Sequence, residues 1–173
     1  QVLLRNAKFL LDDCRKNGTV QFSRLARLGF IGKIILKSLV KNGITDNMFY
    51  DSFMNSVSTV AKEMSNDFKL MAAGKMANEE FIKKYYHLRP GSYDITSPRY
   101  GSNPELLKSM NMETDESVDN KFELDKETEE SISKSLKQHG LKFDAKQFFE
   151  FIKSSLEARE LSKFEFSKNL SDA

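Results

Sequence analysis

Cysteine is nearly absent from this chain: Cys14 is the only one. A single thiol excludes an internal disulfide framework and a cysteine metal cluster, which suits a reducing compartment and points to the cytoplasm. Histidine is almost as scarce, with His87 and His139 far apart in sequence. There is no HExxH, CxxC or EF-hand spacing and no glycine-rich phosphate loop, so no metal ligands and no bound cofactor are assigned to this chain. No apolar run approaches the length of a membrane span and no signal peptide is visible, so no membrane partner is expected. The 27 basic and 25 acidic residues nearly cancel, and the total charge gives no indication of a nucleic-acid partner.

What is present is unevenly distributed. From Arg5 to Lys41 the charges are basic apart from Asp12 and Asp13. From Glu105 to Glu130 the sign reverses, through Glu113, Asp115, Glu116, Asp119, Glu123, Asp125, Glu127 and Glu129. Two readings stand side by side: solvated helix faces with an acidic connector, or an electrostatically steered contact with a phosphate-bearing ligand.

Helix punctuation is clear. Lys16-Asn17-Gly18, Lys41-Asn42-Gly43 and Gln138-His139-Gly140 each place glycine where a last turn closes in the left-handed conformation. Thr45 and Asn78 mark starts, and Asp144 with Gln147 forms a capping-box pattern. Helices are predicted at about 2–17, 20–42, 46–73, 79–86, 127–139 and 145–171. The third carries Phe49, Phe53, Val57, Val60, Met64, Phe68 and Met71 at helical spacing. Gly29 and Gly32 inside the second suggest close helix packing, because each costs about 1 kcal/mol against alanine. No segment alternates as a strand does. The expected fold is an all-α, antiparallel multi-helix bundle with one long polar loop at about 87–102. The expected organisation is a helical block over 1–108, a flexible acidic connector over 109–126, and a C-terminal helix pair over 127–173 of the same domain. Both ends fall inside helical patterns, which suggests a piece of a larger protein.

The loop is the most informative stretch. Tyr85-Tyr86-His87-Leu88-Arg89-Pro90-Gly91-Ser92-Tyr93-Asp94-Ile95-Thr96-Ser97-Pro98-Arg99-Tyr100 holds two of the three prolines and four of the five tyrosines. His87, Arg89, Tyr93, Asp94 and Arg99 offer donors, acceptors and two fixed cations on a stiffened backbone, suited to a carboxylate or phosphate. The competing reading is a brace in which Arg89 or Arg99 pairs with Asp94. In the last helix, Arg159, Glu160 and Lys163 continue the apolar stripe of Phe149, Ile152 and Leu156. Such charges are either paired, lining a cleft beside the loop, or past the end of the core.

Tyr85, His87, Pro90, Gly91, Asp94, Pro98 and Arg99 match a motif of the phosphoenolpyruvate synthase and rifampicin phosphotransferase group, in the version Tyr-Gly-His-Leu-Arg-Pro-Gly-Thr-Tyr-Asp. Phe81, Ala26-Arg27-x-x-Phe30 leading to Leu39-Val40, and Ala158-Arg159-Glu160 with Lys163-Phe164 resemble its flanking helices, so the similarity covers roughly residues 20 to 171. Tyr86 stands where the motif has glycine, Leu88 where the commoner form has arginine, Ser92 where it has glutamate, and Tyr100 where it has tryptophan.

The resemblance implies the helical region of a multidomain ATP-dependent phosphotransferase. Its partners would be an ATP-grasp domain and a swivelling phosphohistidine domain of the same polypeptide, with ATP and Mg2+ belonging to that parent protein. This chain would bind a small-molecule acceptor, have no catalytic residue of its own and no kinase activity alone. His87 would not be the phosphorylated histidine. The substrate-binding candidates are His87, Arg89, Tyr93, Asp94, Arg99, Arg159, Glu160 and Lys163. A non-catalytic helical interaction or scaffold domain is the rival reading. An autonomous small enzyme is disfavoured, because no nucleophile and base pair can be assigned.

Overall fold

The computed structural model describes residues 1–90, 94, 96–109 and 122–173. Every regular element among them is helical. In chain order these are α1 (Val2–Asp13), a π-helical turn (Cys14–Thr19), α2 (Val20–Lys41), α3 (Asn47–Ser56), α4 (Val60–Ala72), α5 (Asn78–Tyr85), a 3-10 turn (Pro104–Ser109), α6 (Lys126–Gln138) and α7 (Ala145–Asp172).

The fold is all-α as expected, and several helix ends are set by the residues that mark them. Gly43 and Gly140 adopt φ of 68° and 78°. The amides that follow them reach back five residues, Ile44 to Leu39 and Leu141 to Leu136, which satisfies carbonyls the helix leaves open. Gly74 does the same after α4, a helix end the sequence reading did not mark. Asp144 accepts from the Gln147 amide at 2.8 Å while Gln147 accepts from the Asp144 amide, so the capping box forms.

Three expectations are corrected. Gly18 ends no helix, because the chain passes from α1 to α2 through the π turn. Asp46, rather than Thr45, caps α3 by accepting from the Phe49 amide at 2.7 Å. The single helix predicted over 46–73 is two. Val57 is extended at φ −71° and ψ 125°, and Thr59 caps α4 by accepting from the Lys62 amide. Serine and threonine on either side of a β-branched residue favour such local capping over helix continuation. The in-phase apolar stripe concealed the break.

The break between Ser58 and Thr59 is also a boundary between two compact units. One comprises Gln1–Gln21, Thr59–Asp115 and Leu161–Ala173; the other comprises Phe22–Ser58 and Glu116–Glu160. Neither is a consecutive block of sequence. The expected connector falls largely on residues 110–121, outside the described residues, but Phe122 and Leu124 from it pack on the core of the second unit.

That core is almost wholly hydrocarbon: Leu36, Leu39, Phe53, Val57, Ile132, Leu136, Phe148, Phe149, Ile152 and Leu156 are buried together. Phe122 sits edge-on to Phe49 and Phe53 with ring centroids 5.1 Å from each. Such tilted contacts suit the ring quadrupole. Gly29 and Gly32 permit the approach of α2 to α7. A Cβ at Gly32 would lie 2.9 Å from Ile152 Cγ1, and one at Gly29 would lie 3.3 Å from Leu156 Cδ2. Rising numbers on α2 meet falling numbers on α7, so the pair is antiparallel within this unit.

In the first unit, Met64, Phe81, Tyr85, Tyr100 and Leu107 form the buried cluster, with Phe68, Leu88 and Phe164 against it. Among the described residues, no helix is long and apolar enough to cross a membrane.

Candidate functional site

α5 delivers the chain into the loop through Tyr85, which is fully buried. Its hydroxyl donates to Asp67 on α4 at 2.8 Å, and Lys84 donates to Asp67 and to Glu63, each at 2.7 Å. Burial, together with the Asp67 carboxylate, pushes the Tyr85 phenol upward. Burial pulls Lys84 down, but its hydrogen bonds to Asp67 and Glu63 outweigh that and the net shift is upward. The network fixes the end of α5, from which the loop departs.

The loop is fastened at its base. Tyr100 N–H donates to the Leu88 carbonyl and Gly101 N–H to the Tyr86 carbonyl, both at 3.0 Å. A Cβ at Gly101 would sit 2.7 Å from Tyr86 Cβ, so glycine is required for this approach. Leu88 and Tyr100 turn into the apolar cluster.

Both arginines converge on the last turn of α7. Arg99 Nη1 donates to the Ser171 carbonyl at 3.1 Å and lies 3.9 Å from the Asp172 carboxylate. Arg89 Nε donates to the Ser97 carbonyl at 3.0 Å, while its Nη1 reaches the His87 carbonyl and Ser171 Oγ, each at 3.4 Å. A helix C-terminus has carbonyls without partners and a partial negative charge, so it attracts guanidinium groups. Tyr86 donates its hydroxyl to Asp172 at 2.7 Å. Burial and the Asp172 contact push its pKa up to about 12. The residue that replaces the motif's glycine is thus a tether to α7.

His87 is 2% exposed, edge-on to Phe164 with ring centroids 4.6 Å apart and to Tyr86 at 5.4 Å. Neither ring nitrogen has a hydrogen-bond partner among the described residues; a backbone contact with Phe164 falls short of that geometry. Burial, then Lys168, lowers the imidazole pKa, while Asp172 and Glu165 pull it back only in part. At neutral pH the ring is therefore uncharged, with one nitrogen able to accept a proton or a hydrogen bond.

Asp94 is exposed, and the expected ion pair is not its principal anchor. Its Oδ1 accepts from the Thr96 amide at 2.9 Å and the Thr96 hydroxyl at 2.8 Å, an Asx turn. Those two hydrogen bonds lower its pKa, with a smaller pull from Arg89. Tyr93 lies outside the described residues.

Arg159 and Glu160 belong to the second unit and pair with each other, Arg159 Nε donating to Glu160 Oε1 at 3.0 Å. Arg159 also lies over the Phe30 ring, 6.0 Å from its centroid. Lys163 belongs to the first unit, one residue before Phe164.

His87, Arg89 and Arg99 are thus brought together, with Tyr86, Phe164, Ser171 and Asp172 as partners that sequence reasoning did not name as site residues. Asp67 left a legible trace, since it stands on the buried side of the Met64–Phe68–Met71 stripe. Ser171 and Asp172 left none. No protein-family model, curated protein or solved structure matches this chain.

Proposed function

We propose that this chain is the acceptor-side helical domain of a multidomain ATP-dependent phosphotransferase similar to phosphoenolpyruvate synthase or rifampicin phosphotransferase. The observation that carries the reading is the convergence of two motif residues, Arg89 and Arg99, on Ser171 at the end of α7, with the buried ring of a third, His87, close by and without a hydrogen-bond partner among the described residues. The two guanidiniums are suited to hold the anionic oxygens of an acceptor, while the neutral, buried His87 holds the base of the loop against Phe164 and Tyr86. In this reading the phosphoryl group arrives from a phosphohistidine on a swivelling domain of the same cytoplasmic polypeptide. Among the described residues no group of three His, Cys, Asp or Glu side chains could hold a metal ion. By the resemblance, ATP and Mg2+ belong to the ATP-grasp domain of the parent protein.

The test uses the polypeptide that carries this chain. Its purified form should become phosphorylated on histidine by ATP and pass the group to an acceptor. His87→Ala and Arg89→Ala should leave histidine phosphorylation intact and abolish transfer, with circular dichroism of each variant chain checking that its helices persist. Transfer that survives both changes, or a parent sequence without ATP-grasp and phosphohistidine segments, rejects the reading.

A second reading, a non-catalytic helical interaction domain with the loop as a brace, is favoured by one observation. Arg89 and Arg99 direct hydrogen bonds at the carbonyls of Ser97, His87 and Ser171, as structural arginines do. It requires that Arg99→Ala lower the melting temperature by several degrees and leave every activity of the parent unchanged.

A further inference from the structure

We propose that the exposed face of α2 centred on Phe30, Ile31 and Ile34 docks an acidic amphipathic helix of a partner protein. These side chains are 56%, 49% and 67% exposed, although they sit on a helix whose opposite face, through Gly29, Gly32, Leu36 and Leu39, is buried. Helical spacing makes Phe30 and Ile34 neighbours one turn apart, with Ile31 beside them. An exposed apolar cluster of this kind, flanked by cations, marks an interaction site.

The surroundings specify the sign of the partner. From Val20 to Lys41 the helix contains Arg24, Arg27, Lys33, Lys37 and Lys41 and no acidic residue. Arg27 and Lys37 close the two ends of the apolar strip. Arg159 covers one edge, its guanidinium over Phe30 and its orientation held by Glu160. An apolar centre with a charged rim is the anatomy of a protein interface. The strip is barely two turns long and cations bound both ends. A helix lying on a membrane instead presents a long apolar stripe with its cations along the flanks. The glycine contacts hold α2 against α7, so the face is presented rigidly, and a rigid face loses little freedom on binding. An incoming helix with apolar residues at i, i+3, i+4 and i+7 and Asp or Glu on either side satisfies both features.

The test is selection of the purified chain against a displayed library of amphipathic helices of about 14 residues, four turns, whose flanking positions vary among Glu, Lys and Ser. Glutamate-flanked sequences should be enriched. A synthetic peptide of the enriched sequence should bind more weakly as salt rises. Phe30→Asp and Ile34→Asp should each weaken it at least about tenfold, while Met48→Asp, a more exposed apolar control on α3, should leave it unchanged. Circular dichroism of each variant checks that the helices persist. Enrichment of lysine or serine, binding indifferent to Phe30→Asp and Ile34→Asp, or absence of enrichment overturns the proposal. So does binding to phosphatidylserine vesicles through the same residues without peptide binding, which would make the face a membrane contact.

Discussion

The two units solve the problem of burial in opposite ways. The core around Phe53, Phe122 and Phe149 is held by ring edges and aliphatic side chains, with only the hydroxyls of Ser155 and Thr45 buried at its margin. The core around Phe81 and Tyr85 instead encloses a carboxylate, a phenol and an imidazole, at Asp67, Tyr85 and His87. A hydrocarbon core depends on volume and tolerates imperfect orientation. A polar one depends on direction, since every donor needs an acceptor placed within a few tenths of an ångström. Retaining buried polar groups costs stability that leucine would not, and the polar core lies beneath the loop that carries the motif. The contrast separates a scaffold from a positioned site.

The largest way to disturb the contrast is Phe53→Ala. It removes a ring in contact with two others, and a loss of about 3–5 kcal/mol is expected in denaturant unfolding. Replacement by leucine should recover most of that, as a volume-governed core requires.

Asp67→Ala comes next, at about 2–3 kcal/mol, because it strands the buried Tyr85 hydroxyl and removes one anchor of Lys84. Here the isosteric Asn should rescue only in part, since it restores shape but not charge. Equal rescue in both units would erase the distinction between volume and direction.

A pH titration sharpens it further. The folded His87 pKa is depressed below its ordinary 6.5, so the unfolded chain binds more protons between the two values. The stability contributed by the neutral ring is present above pH 6.5 and is lost as pH falls through the folded pKa. Protection factors of α5 amides, with exchange corrected for its intrinsic pH dependence, should fall over that window, and His87→Phe should remove that component of the pH dependence.

Smallest is Asp94→Ala. The Asx turn it closes is exposed, so the loss of melting temperature should be a few degrees at most. A larger drop would mean that Asp94 anchors the loop as the sequence had suggested.

Local chemistry was legible in the sequence and distant chemistry was not. Gly43, Gly140 and the Asp144–Gln147 box act within six residues, and their hydrogen bonds are those the residue types demand. The helix break at Val57 was hidden because Phe53, Val57, Val60 and Met64 keep step across it, although they serve different cores. For the site, the loop and its two arginines could be read directly. Their anchor on Ser171 and Asp172 lies more than seventy positions away, on a helix end with no distinguishing pattern. The depth of His87 depended on Phe164 and Tyr86 closing over it, a tertiary outcome that no spacing rule encodes.

The clasp between Leu88 and Tyr100 and between Tyr86 and Gly101 has a practical consequence. It brings the two ends of the loop together at its base, so backbone hydrogen bonds hold their places. Because closure entropy grows only slowly with length, the stretch between Arg89 and Arg99 can change in length at little entropic cost. Related segments, longer or shorter, can be grafted between the same two backbone hydrogen bonds provided Gly101 and the two arginines that reach α7 are retained.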